Sequence, residues 1–122
     1  MSLHESGEDY LERILILKET KEHIRSIDLA NSFGYTKQSI SRAVKHLKEA
    51  AYITIDDNGY IELTKEGLKI ASKMYERHVL LSELLENLGV SKETACADAC
   101  KIEHDLSEET FSVIKKHLKK AG

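Results

Sequence analysis

Between Ser26 and Leu63 the chain changes its hydrophobic period from that of a helix to that of a strand, and few architectures accept the change. Leu29, Ala30 and Phe33 make a short helical stripe for which Ser26 is a candidate N-cap. Gly34 offers a sharp turn and Thr36 a second N-cap. In the helix that follows, Ile40, Val44 and Leu47 recur at spacings of four and three. The period then falls to two: Ile53 and Ile55, a two-residue turn at Asn58-Gly59, then Ile61 and Leu63. Helix, glycine turn, helix and hairpin predict a winged helix-turn-helix over residues 1–64.

The second of those helices has a polar face of one sign. Thr36, Lys37, Gln38, Ser39, Ser41, Arg42, Lys45 and Lys48 lie away from its apolar stripe, and residues 37–48 hold four basic residues and no acid. Arg and Gln can fork onto purine edges in a major groove, while Lys and Ser suit phosphates. A basic face is also an ordinary way to solvate a helix. The preceding helix and turn favour double-stranded DNA as partner. The wing tip, Asp56-Asp57, is acidic, so the recognition helix is expected to supply most of the affinity.

The flanking segments read as helices. Residues 6–21 carry Tyr10, Ile14 and Leu17 on one face, with Ser6 as candidate N-cap and Glu8 and Asp9 in the first turn. Asp9 and Glu12 lie three apart beside that stripe, as ligands or as a plain acidic first turn. Thr64 caps a long helix to about residue 88, with Leu68, Ala71, Tyr75, Leu81, Leu84, Leu85 and Leu88 as its stripe. His78 sits among them, where a lone histidine is more often structural. Ser91 and Ser107 start two more helices, the last with Phe111, Ile114 and Leu118 inward. Residues 65–122 are therefore expected to be α-helical, and the fold class is mainly α.

The stretch Cys96–His104 carries the densest chemistry. On a helix, Cys96, Cys100, Glu103 and His104 fall within an arc of roughly 100°. Thiolate, carboxylate and imidazole together suit a transition metal better than a calcium loop or a thiol-only zinc ribbon. Residues 86–109 hold seven acids against Lys92 and Lys101, which suits a cation and opposes DNA. Cys100 and His104 could also form a nucleophile pair. No oxyanion loop accompanies them, and the chain is not read as an enzyme.

Totals set the outer limits. The chain has 122 residues, no proline, no tryptophan and a net charge of -3, so any DNA affinity must be local. No apolar run approaches the ~18 residues of a membrane span. A cytoplasmic protein with no membrane partner and two reduced cysteines is expected.

Taken in order, these motifs resemble a known family. They are Glu8-Asp9-Tyr10-Leu11-Glu12, the winged helix, Leu63-Thr64-Lys65-Glu66-Gly67, Arg77-His78, and Ile102-Glu103-His104-Asp105-Leu106-Ser107. The family is that of metal-dependent repressors typified by the diphtheria toxin repressor and the manganese transport regulator. The resemblance implies that residues 65–122 are an α-helical metal-binding and dimerisation domain, and that Asp9, Cys100, Glu103 and His104 form the main metal site. It implies that Glu12 and His78 match positions used by members with a second site, giving one or two ions per subunit. Cys96 falls where the iron branch has an ancillary histidine, and Ser82 where an acid is expected. Cys100 is the iron-branch residue and Asp9 the manganese-branch one. The thiolate favours iron(II), with manganese(II) second. The implied output is repression of iron or manganese uptake genes by a homodimer on a palindromic operator. The alternative is a winged-helix regulator answering to a non-metal effector.

Overall fold

The elements follow that order in a computed structural model, which describes residues 5–121, with side chains from 6 to 119. The chain divides into two units, Met1–Ser72 and Lys73–Gly122. The division falls within the long fourth helix, whose first turns belong to the first unit.

The first unit holds α1 (Glu5–Leu17), α2 (Ser26–Phe33), α3 (Lys37–Glu49), β1 (Ile53–Ile55), β2 (Ile61–Leu63) and the start of α4 (Lys65–Asn87). Its core joins Leu11 and Ile14 of α1, Ile24, Leu29 of α2, Ile40 and Leu47 of α3, and Ile53 and Ile61 of the hairpin. The strands are antiparallel, with Ile53 opposite Leu63 and Ile55 opposite Ile61. Ile61 N–H donates to the Ile24 carbonyl at 2.7 Å, tying the segment before α2 to the hairpin. This is a winged helix-turn-helix.

Several local expectations need correction. Ser6 lies inside α1 rather than capping it, and α1 ends at Leu17, with residues 18–20 in a turn. Ser26 is the first residue of α2, and the cap position is Arg25, whose N–H donates to Asp28 Oδ2 at 2.9 Å. Asp28, at the third helical position, thus satisfies the N–H of the cap residue itself. Those bonds, from Lys21 first and then from the Arg25 backbone, hold the Asp28 carboxyl below its ordinary range. The hairpin turn is longer than two residues. Asp56 N–H bonds the Tyr60 carbonyl at 3.1 Å and Gly59 N–H bonds the Asp56 carbonyl at 3.0 Å, with Gly59 left-handed at φ 81°. That makes a three-residue loop. Asp56 Oδ1 accepts from the N–H groups of Asn58 and Tyr60, both at 2.9 Å, so this wing-tip acid stabilises its own turn.

Other caps are as read. Thr36 Oγ1 accepts from Ser39 N–H at 3.2 Å and Gly34 turns the chain at φ 74°. Thr64 Oγ1 accepts from Gly67 N–H at 3.1 Å and donates to the Ala51 carbonyl at 2.7 Å, joining the start of α4 to the end of α3. Gly67 is obligatory for space: a Cβ there would lie 2.0 Å from the Tyr52 carbonyl oxygen.

The second unit holds the rest of α4, α5 (Lys92–Ile102) and α6 (Glu108–Ala121). Met74, Leu81, Ala95, Ala99, Phe111 and Leu118 are its buried apolar residues. Two expected stripe members are outside: Leu68 is 45% exposed and Leu88 73%. Ser91 and Ser107 cap α5 and α6 through the N–H groups of Thr94 and Thr110, at 3.3 and 3.1 Å. Among the described residues, no helix is long and apolar enough to cross a membrane.

Candidate functional site

Within the second unit, two imidazoles and a thiol converge on one carboxylate. Glu103 follows the last turn of α5, and its N–H still bonds the Ala99 carbonyl at 3.0 Å, so the helical path carries on to it. Its side chain is fully buried. Oε2 lies 3.0 Å from His78 Nδ1 of α4. Oε1 is buried without a hydrogen-bond partner, and His104 Nε2 stands 3.6 Å from it. A ligand atom of Cys100 lies within 4.8 Å of the same carboxylate. The far side of His78 carries the second thiol, with Cys96 Sγ 3.5 Å from Nε2. In the Nδ1–H tautomer His78 donates to Glu103, and its Nε2 is an acceptor facing the Cys96 S–H.

The fit to a metal follows from burial. A carboxylate in a low-dielectric site with one oxygen lacking a donor is costly, and a cation is the group that satisfies it. One thiol, two imidazoles and a carboxylate are a mixed soft and hard set, right for a borderline divalent ion. Neither Cys96 nor Cys100 is in a disulfide, and both are exposed.

Arg77 organises the backbone around this cluster. Its side chain is buried, and Nη1 donates to the carbonyls of Glu103 at 2.9 Å and Leu106 at 2.7 Å. The guanidinium lies over the Phe111 ring at 5.3 Å. The turn after α5 is therefore fixed from α4, with Glu103 and His104 on it. Glu108 joins from the start of α6. It pairs with Lys73 and, at 3.5 Å, with Arg77, and chiefly the Lys73 bond holds its carboxyl below the ordinary range. Arg77 entered the sequence reading only as half of a motif. Its role was not legible there because its acceptors lie 26 and 29 residues away.

The remaining expected residues belong to the first unit. Asp9 is half-buried and Glu12 buried on α1. Thr36, Lys37, Gln38, Ser39, Ser41, Arg42, Lys45 and Lys48 are all exposed, while Ile40, Val44 and Leu47 are buried. The polar face of α3 is thus open along its length.

Comparison with known proteins agrees with both halves. Residues 2–67 match the N-terminal DNA binding domain of the iron dependent repressor family. Residues 64–121 match that family's metal binding and dimerisation domain. An uncharacterized HTH-type transcriptional regulator of Methanocaldococcus jannaschii is 33% identical over 97% of this chain and 96% of its own length. The HTH-type transcriptional regulator MntR of Geobacillus kaustophilus is 36% identical over 84% of this chain and 72% of its own. Among solved structures, the manganese regulator SloR superposes with a TM-score of 0.83 at 28% identity over 98% of this chain. A manganese-dependent transcriptional repressor in complex with manganese gives 0.84 at 28% identity over 93% of this chain. The chain spans about half of those two solved chains, 55% and 52%.

Proposed function

Because the chain belongs to the iron-dependent repressor family, we propose that it is a metal-activated, DNA-binding transcriptional repressor whose main metal ligands are Cys100, Glu103, His104 and Asp9. The observation that carries the reading is the buried Glu103 carboxylate, with one oxygen lacking a hydrogen bond beside His104 and Cys100. A bound divalent ion supplies positive charge that offsets this carboxylate and the thiolate.

Cys100 sets the metal preference. Its soft sulfur moves the site away from the all-oxygen and imidazole sets that suit manganese(II), while Asp9 and Glu103 keep it hard enough for iron(II). Iron(II) is the favoured ion and manganese(II) the second. Glu12 and His78 serve a second ion or support the first, and Cys96, beside His78, belongs with them. The count is one or two ions per subunit.

Asp9 and Glu12 are the residues that connect ligation to DNA. Both stand on α1, whose Leu11 and Ile14 are in the same core as Ile40 and Leu47 of α3. Holding α1 in place holds α3. In a two-fold homodimer, Gln38 and Arg42 meet base edges, while Thr36, Lys37, Ser39, Ser41, Lys45 and Lys48 meet phosphates. Two such helices suit half-sites about 34 Å apart, hence a palindromic operator. The regulated genes are those of iron or manganese uptake, in the cytoplasm.

Cobalt(II) titration of the metal-free protein tests the ligand set. A sulfur-to-cobalt absorption band is expected in the wild type and in Cys96→Ser, and is expected to be lost in Cys100→Ser. A band that survives Cys100→Ser and disappears in Cys96→Ser would overturn the assignment.

A further inference from the structure

α1 reaches the recognition helix by a second route, through rings. Tyr10 is the neighbour of Asp9 in the chain, and its ring meets Phe33 edge-on with centroids 5.1 Å apart and planes at 80°. Phe33 is the last residue of α2, and Tyr35 stacks on it at 5.1 Å with planes 7° apart. Tyr10 also meets Tyr35 edge-on at 6.4 Å. Arg13, one turn on from Tyr10, places its guanidinium over the Phe33 ring at 4.7 Å and donates to Ser32 Oγ at 2.7 Å. Tyr35 immediately precedes Thr36, the N-cap of α3.

We propose that the Tyr10–Phe33–Tyr35 ring cluster is the positioning element that transmits the state of α1 to the N-terminus of the recognition helix. This rests on the reading of the chain as a metal-activated repressor.

The argument is geometric. On a helix, Tyr10 lies about 100° and Arg13 about 40° around from Asp9. Any rotation of α1 that reorients Asp9 therefore carries Tyr10 and Arg13 across Phe33. Edge-to-face pairs are sensitive to ring angle, so the cluster resists partial displacement. Left-handed Gly34 stands between Phe33 and Tyr35, so the two stacked rings bracket the turn and Tyr35 runs directly into the cap. Tyr35 is 52% exposed, more than burial alone would dictate for a ring, and it is held by stacking rather than enclosure. The aliphatic core sets the distance between α1 and α3, whereas the rings set the direction in which α3 begins.

Hydrogen exchange with the metal alone as the probe, manganese(II) or, anaerobically, iron(II), tests this without knowledge of the operator. In the wild type, metal should slow exchange over residues 9–13 and over residues 36–41. In Phe33→Leu, which retains an apolar side chain, the response over 9–13 should persist while that over 36–41 falls by about fivefold or more. Tyr35→Ala, at an exposed ring, should do the same, and Phe33→Tyr should restore the response. A purely structural role would shift metal-free and metal-loaded exchange alike and leave their difference unchanged. An equal response over 36–41 in Phe33→Leu, or none there in a wild type that responds over 9–13, overturns the inference alone. Failure of the wild type to take up either manganese(II) or, anaerobically, iron(II), or of residues 9–13 to respond to both, sinks the underlying reading and the inference with it.

Discussion

His78 and Glu103, 25 residues apart, meet through Nδ1 and Oε2 at 3.0 Å, with the carboxylate fully buried. The contact occupies one oxygen of the carboxylate and leaves Oε1 without a hydrogen bond. Glu103→Gln removes the buried charge. The metal-free variant should melt at or above the wild-type temperature, while the rise in melting temperature on adding metal should vanish. Thermal denaturation with and without manganese(II) checks both signs; a metal-induced rise equal to that of the wild type would remove Glu103 from the ligand set.

Arg77 should prove costly to lose. Its buried guanidinium serves two carbonyls of the turn carrying Glu103 and His104. Arg77→Leu leaves both acceptors short, at about 1–3 kcal/mol each if they stay dry. Urea denaturation should show that loss, and metal affinity should fall by about 10–100-fold, as for other groups that orient ligands.

Two small residues should respond in opposite directions. Gly67→Ala forces a Cβ to within 2.0 Å of the Tyr52 carbonyl oxygen and should destabilise by about 1–3 kcal/mol or more. Ala51 sits after α3 at φ 65°, a left-handed conformation that glycine adopts without strain. Ala51→Gly should stabilise by about 0.5–1 kcal/mol. Urea midpoints of the two variants measure both effects.

Asp28 gives the first unit a pH dependence of known sign. Its folded-state pKa is lowered by bonds from Lys21 and the Arg25 backbone. A lowered carboxyl contributes stability that is full above the unfolded pKa, near 3.8, and is lost as pH falls through the folded value. Asp28→Ala should cost about 1 kcal/mol at neutral pH, as for other lost caps. The gap between variant and wild type should close below pH ~4.

On the proposed reading, the exposed face of α3 should separate affinity from specificity. Lys45→Ala and Lys48→Ala should weaken DNA binding uniformly, each lowering the salt slope by about 0.9. Arg42→Ala should cost about 1–3 kcal/mol on the preferred sequence and less on others. Salt-dependent titrations on two unrelated duplexes distinguish the two behaviours.

Helix order, the winged helix and the grouping of Cys100, Glu103 and His104 were legible because each rests on short-range spacing. Periodicity gives the angle of a side chain about its helix but not what lies opposite, so Leu68 and Leu88 read as core and are exposed. Ser26 was the better cap by residue type, yet the cap position is Arg25 and Asp28 takes its N–H. The wing looked like a two-residue turn until the Asp56 carboxylate drew the amides of Asn58 and Tyr60 into a longer loop. The His78–Glu103 contact and the reach of Arg77 are long-range, and no local pattern encodes them.

The central claim is that ligation and DNA binding share one equilibrium, and operator titration under anaerobic conditions tests it most directly. Adding iron(II) or manganese(II) should raise affinity for the palindromic duplex by about 5–150-fold, and the duplex should tighten metal binding by the same factor. Equal affinity for the operator with and without metal would contradict the account.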